Sequence, residues 1–150
     1  MKDYNLVLKN PIDLTNIEKK YINIFLKTRE MKKSEERDAR ENFRKNCIEK
    51  YKKCIISGVF HEECDACHII PYSVGTNDVN NSLLLTTSLH KLFDKGFWTI
   101  DYENGEILIS NDIINENTSI HKYKDINLRH ILNDDVLKNL KWHYNHVFKK

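Results

Sequence analysis

His68, Asn81 and His90 are separated by twelve and eight intervening residues, and residue types in that order suit the hydrolysis of a phosphodiester. A histidine that is neutral and unliganded near pH 7 can take a proton from water. Its ring must be aimed, and an amide side chain such as Asn81 can do this by bonding nearby backbone across a loop. A second histidine, His90, can hold a divalent metal against the scissile phosphate, where the ion would neutralise developing charge. Asp94 follows His90 by four residues, so on a helix both side chains project from one face. That pair suits a two-toothed metal clamp, and equally a structural role in which Asp94 bonds Lys91 or caps a loop.

The elements that must position these groups can be read around them. Cys54 to Gly58 reads as a short strand ending in a turn, and Cys64 to Pro71 contains a second strand that proline stops. Tyr72 to Asn81 is a polar loop. Leu83, Leu84 and Leu85 read as a buried approach to a short helix that starts after Thr86, Thr87 or Ser88 and stops at Gly96. Phe97 to Asp101 and Glu106 to Ser110 should form a hairpin about Asn104-Gly105, the strongest turn signal in the chain. A last helix is expected over residues 134–148, after a polar stretch whose fold is not legible.

Upstream, Leu14, Ile17, Tyr21, Ile24 and Phe25 have helical spacing within Asp13 to Lys27. Met31 to Ser34 looks like a break, with Ser34 as N-cap to a second helix running to about Tyr51. Ala39, Phe43, Cys47 and Tyr51 form the buried stripe of that helix. Arg37, Arg40 and Arg44 lie along another face at i, i+3 and i+7, placed either to reach phosphates or to remain solvated beside Glu41. Residues 1–60 carry 15 Lys/Arg against 9 Asp/Glu, whereas residues 61–150 carry 9 against 13. A basic first part beside an acid-rich second part is compatible with phosphate attraction next to a metal site, but the asymmetry alone does not require a partner.

The run CDACHIIPYSVGTNDVNNSLLLTTSLHKLFDKGFWTID resembles the HNH endonuclease superfamily, in the branch found in restriction-like HNH proteins. That branch reads approximately as AHI-P, then N-LLL, then LH-LFD-G, then a strand ending in ID. The segments FRKNCIEKYKKCIISG upstream and LKWHYNHVF downstream extend the likeness to about residues 37–150. The resemblance implies an α+β fold with a ββα-metal core, N-terminal helices, a β-hairpin toward the C-terminus and a terminal helix. It divides the chain into a helical extension, 1–36, and a nuclease domain, 37–150. By position, His68 matches the general base, Asn81 the middle asparagine and His90 the metal ligand on the helix. The implied reaction leaves a 5′ phosphate and a 3′ hydroxyl, with one divalent ion (Mg, Mn, Ni or Zn) as cofactor. The expected partner is nucleic acid, double-stranded DNA in the first place, with no membrane association; a homodimer is an open expectation. Arg37, Arg40, Arg44 and Lys91 are the candidates to grip flanking phosphates.

Many HNH nucleases place a further metal ligand immediately before the base, and here that position is Cys67. A thiolate would favour zinc or another soft transition metal over magnesium. Alternatively Cys67 is a small buried filler, the reading preferred on sequence, and Asp65 on the same strand face supplies a carboxylate. Cys54, Cys64 and Cys67, with Cys47 or His61, are a further grouping that could hold a structural zinc, but a second knuckle to match Cys64-x-x-Cys67 is absent. His143 should serve in packing or a hydrogen bond, and Trp98 and Trp142 read as core. A hydrophobic fraction of 40% against 31% charged residues fits a soluble globular chain. The polar start MKDYNLVLKN shows no secretory signature, so a reducing, cytoplasmic setting with free thiols is expected.

Overall fold

The computed structural model describes residues 16–150, so Asp13 and Leu14 of the expected first helix lie outside the described residues. Helix α1 spans Asn16–Tyr51 without interruption, which corrects the expected break at Met31 to Ser34. The segment contains no glycine or proline and is rich in Lys, Glu and Arg. One interior serine costs only a few tenths of a kcal/mol, too little to stop such a helix. The described residues fall into two compact units, one ending at Ala39 and the other spanning 40–150. In the described part of the first, side chains are exposed or half-buried, Ile17, Tyr21, Ile24 and Met31 among the exposed ones.

In the second unit, Phe43 and Cys47 anchor the end of α1 in the core. The helix closes at Lys52, whose positive φ of 69° ends the ladder while its N–H still reaches Ile48 O at 2.7 Å. Cys54 to Gly58 is a tight turn and not the expected strand. Gly58 N–H bonds Cys54 O, Cys54 N–H bonds Val59 O, and a lone bridge joins Lys53 to Phe60. One bond from Ile55 N–H to Leu84 O ties this turn to the sheet.

The strands that carry the site are β1, Cys64–His68, and β2, Ser82–Thr86, which pair antiparallel with Ala66 opposite Leu84 and His68 opposite Ser82. The three leucines are therefore the second strand itself, not merely an approach to the helix. All three are fully buried, as a continuous apolar run allows when both faces of a strand are covered. Helix α2, Thr87–Asp94, follows directly and packs on both strands. Its Leu89 and Phe93 enter the core, which leaves His90 and Asp94 on the neighbouring face.

Strands β3, Trp98–Ile100, and β4, Ile107–Ile109, form the expected hairpin. Trp98 donates its indole N–H to Leu89 O at 2.9 Å and meets Phe93 edge-on. The polar stretch that the sequence left unread contains short 3₁₀ turns at Asn111–Ile113, His121–Tyr123 and Arg129–Ile131. Helix α3, Asp134–His146, is capped by Asn133, whose side chain accepts from Val136 N–H. Trp142 is half-buried and stacks on His146, a correction to its reading as core. The mixture of helices with two small antiparallel sheets is an α+β fold around a ββα core.

Candidate active site

The end of β1, the loop over residues 69–81 and one face of α2 enclose a cleft of about 420 Å³. His68, Tyr72, His90, Asp94 and His143 line it. The two histidines singled out by spacing therefore face one shared space.

His68 is held on three sides. The Phe43 ring stacks on it at 3.9 Å, nearly parallel, and Tyr72 stands tilted at 5.7 Å. In the ring plane, its Nε2 lies 2.9 Å from Asn77 Oδ1. Neither Phe43 nor Asn77 was a site candidate from sequence. Phe43 signalled only a buried helix stripe, and Asn77 is one polar residue in a polar loop.

Asn81 is buried and all its visible bonds go to backbone. Its Oδ1 accepts from Ile70 N–H at 2.8 Å, while Nδ2 donates to Ile70 O at 3.0 Å and to Thr76 O at 2.9 Å. One amide side chain thus staples the two ends of the loop. Gly75 makes the staple possible, since a Cβ there would lie 2.9 Å from Asn81 Nδ2 and 2.8 Å from Ile70 O.

His90 is gripped through both ring nitrogens. Nδ1 meets Asp65 Oδ2 at 3.0 Å and Nε2 meets Asp94 Oδ2 at 2.9 Å. The bond to Asp94 leads in raising its pKa; burial opposes this, and the bond to Asp65 adds to it. Cys67, fully buried, points its Sγ toward Asp94 Oδ1 at 3.7 Å. Burial pushes the Cys67 thiol well above its ordinary range, and the Asp94 charge pushes the same way.

Among the described residues, Cys67, His90 and Asp94 bring one sulfur, one nitrogen and one oxygen ligand atom within 4.8 Å of one another. This donor set fits a divalent ion: a cation would satisfy two groups that otherwise disfavour each other's ionised forms. Asp65 lies outside that group, against the far nitrogen of His90, where a carboxylate orients a ligating imidazole.

Arg44 is turned inward, in contrast to its expected place among the phosphate contacts. It donates to Cys64 O at 2.6 Å and His61 O at 3.3 Å, so its guanidinium serves the start of β1. Arg37, Arg40 and Lys91 are exposed. The alternative zinc grouping does not assemble: Cys54 Sγ accepts from Ser57 N–H, and Cys64 Sγ contacts Val59 O and Phe60 O. All four cysteines are free thiols. His143 is buried as expected in a packing role, stacked on Phe93 at 3.8 Å and bonded to Thr99 Oγ1 and Phe93 O. Burial lowers its pKa to about 4.

A strand pair, a stapled loop and a helix bearing metal-ligand types define an HNH core. The family model described as HNH endonuclease matches residues 54–101, a stretch that contains β1, β2, α2 and β3. The matched stretch is an HNH segment, and the family implies nuclease activity on a nucleic acid. No curated protein matches the chain. Among the described residues no helix is long and apolar enough to cross a membrane.

Proposed function

We propose that the chain is a metal-dependent endonuclease of the restriction-like HNH branch that hydrolyses phosphodiester bonds of double-stranded DNA, leaving a 5′ phosphate and a 3′ hydroxyl. The observation that carries this reading is the shared cleft, with His68 contributed by the strand and His90 and Asp94 by the helix. His68 is the general base that takes a proton from the attacking water. Asn81 keeps the loop closed so that the base stays aimed. Cys67, His90 and Asp94 would hold one divalent ion, with Asp65 orienting the His90 ring. When bound, such an ion supplies charge neutralisation at the transition state and at the departing 3′ oxygen. Residues 37–150 form the nuclease domain in this reading and 1–36 a helical extension, with Arg37, Arg40 and Lys91 reaching flanking phosphates. The thiolate ligand favours zinc, nickel or another borderline ion over magnesium.

Cleavage of supercoiled and linear DNA across Mg, Mn, Ni and Zn, with mapping of product ends, tests the proposal. His68→Ala should remove cleavage by a factor of about 10³ while circular dichroism is unchanged. Undiminished cleavage in that variant would exclude His68 as base. DNA binding without cleavage under every metal would instead favour a non-catalytic nucleic-acid-binding module.

A further inference from the structure

We propose that Asn77 sets the tautomer and the in-plane orientation of His68, and that Asn81 supports this through the loop backbone, without touching the ring. The inference rests on the reading of His68 as the base. Stacking against Phe43 at 3.9 Å and an interplanar angle of 2° fixes the plane of the imidazole. Stacking does not distinguish the ring from its flipped form, because a flip exchanges ring atoms within the same plane. An in-plane hydrogen bond does distinguish them. Asn77 Oδ1 lies 2.9 Å from His68 Nε2, and an amide oxygen can only accept. The proton therefore sits on Nε2, and Nδ1 keeps the lone pair that a base requires. Nδ1 has no hydrogen-bond partner among the described residues, so that lone pair is not committed inside the protein.

Asn81 makes no hydrogen bond to His68. Its amide instead fixes Thr76 O, the carbonyl of the peptide that leads into Asn77, and both backbone groups of Ile70, two residues beyond His68. On the other side of Asn77, Asp78 N–H bonds Thr76 Oγ1 at 3.3 Å and Asp78 Oδ1 accepts from Asn80 N–H at 2.7 Å. Asn77 is thus held from both flanks, with the staple on one and a side-chain turn on the other. Asn81 thus steadies the backbone on both sides of the site, at Ile70 just after the base and at Thr76 just before Asn77, and Asn77 alone meets the imidazole in its plane. Asn77 is accordingly a positioning residue, and its removal should affect turnover more than substrate binding.

The test is long-range ¹H–¹⁵N correlation of the histidine rings in the full chain, with the His68 signals identified by their loss in His68→Ala. The unsubstituted chain should show the Nε2–H form. Asn77→Leu, which keeps the branched shape but removes the acceptor, should give a mixture of both tautomers, and Asn77→Asp should restore the Nε2–H form. Asn81→Ala should scramble the tautomer as Asn77→Leu does, although it touches the ring nowhere. In DNA cleavage, kcat should fall about 10- to 100-fold in Asn77→Leu with KM nearly unchanged, and Asn77→Asp should recover part of it. A single Nε2–H form persisting in Asn77→Leu, or an Nδ1–H form in the unsubstituted chain, would overturn the proposal. A normal tautomer in Asn81→Ala would overturn the supporting role of Asn81. Should Asn77→Leu fail to fold by circular dichroism, Asn77→Ser, which is shorter and leaves the ring nitrogen out of reach, takes its place with the same expectations. If the unsubstituted chain cleaves no nucleic acid, the nuclease reading fails while the tautomer measurement still decides the role of Asn77.

Discussion

The two hairpins of the second unit are built on opposite principles. The β3–β4 pair is joined by a short turn around Asn104 and Gly105, with φ of +79° at the glycine. Local residue types favour that turn, and its side chains bond only neighbouring backbone. The segment over residues 127–129 braces its carbonyls, through Leu128 N–H to Gly105 O and Asn127 Nδ2 to Asn104 O. The β1–β2 pair is joined by the long loop over residues 69–81, for which no two-residue turn chemistry exists. Its path is set by side chains that reach back to it, chiefly Asn81, with Gly75 giving way so that the two can approach. The chemistry resides in the second kind of hairpin. A cleft needs backbone that leaves the sheet and returns at an angle no tight turn supplies, and such backbone has to be held by groups that can each be lost singly.

The sharpest way to break the comparison is Asn81→Ala. Three hydrogen bonds disappear together, and the groups left behind at Ile70 and Thr76 lie in a partly buried loop end. A loss of about 3 kcal/mol in urea unfolding is expected. Cleavage should fall by a factor of about 100 or more even at temperatures where the variant is fully folded. Equal loss of stability with cleavage intact would mean that the loop does not aim the base.

Second in size is a pH effect that separates two histidines beside the same helix. His143 Nε2 faces the Phe93 carbonyl, which can only accept, so the ring is an Nε2–H donor and Nδ1 accepts from the Thr99 hydroxyl. Burial lowers its pKa from 6.5 to about 4. Between those values the unfolded chain binds a proton that the folded chain refuses. The stabilisation is therefore complete above about pH 6.5 and is lost as pH falls toward 4, up to about 3 kcal/mol. His90 has the opposite sign. Its pKa is raised, so its contribution is present below its unfolded value and fades as pH rises through the folded one. Urea unfolding at about pH 7 and about pH 4.5, in the unsubstituted chain and in His143→Gln, isolates the first effect. The acid loss should shrink by most of that amount in the variant. An unchanged slope would show that His143 is not the group refusing the proton.

The same contrast between local and distant causes explains what the sequence disclosed. The order His68, Asn81, His90 and Asp94 was legible because those residue types have chemical meaning at that spacing, and the Asn104-Gly105 turn was legible because its cause is local. The leucine run was only half read: three buried leucines mark burial equally well in a strand or in the lead to a helix, and pairing with β1 settles it. The apparent break at Met31 to Ser34 followed a single cap signal within a helix that holds no glycine or proline and is dominated by Lys, Glu and Arg. Asn77 and the inward turn of Arg44 could not be read, since each depends on where a distant segment passes. Cys67 suits two roles almost equally by residue type. Filler and ligand both call for a small buried residue, and the proximity of Asp94 across 27 positions favours the ligand.

The Cys67 thiol gives a third, smaller effect. Cobalt(II) added to the full chain should give a thiolate-to-metal absorption band in the near ultraviolet, absent in Cys67→Ala. Affinity for zinc should fall by about 10- to 100-fold in that variant, while weak magnesium binding hardly changes. Identical cobalt spectra in the two chains would return Cys67 to the role of filler and leave His90 and Asp94 as the clamp.

The smallest effect belongs to the tight hairpin. Asn104 Oδ1 accepts from Glu106 N–H at 3.0 Å, at an exposed position where water can take over that donor. Asn104→Ala should therefore cost about 1 kcal/mol or less, through the turn preference and one replaceable bond. Cleavage should not change, because the turn holds nothing that lines the cleft. The same substitution, asparagine to alanine, is thus expected to be nearly silent at one hairpin and disabling at the other. The difference lies in what replaces the lost amide: water at an exposed turn, and nothing of the right shape inside a stapled loop. Hydrogen exchange on the two variants reads this directly. Asn104→Ala should lose protection only near the turn, whereas Asn81→Ala should lose it from Ile69 through Ser82. Matching, local losses in both would mean that the long loop is held by its backbone after all.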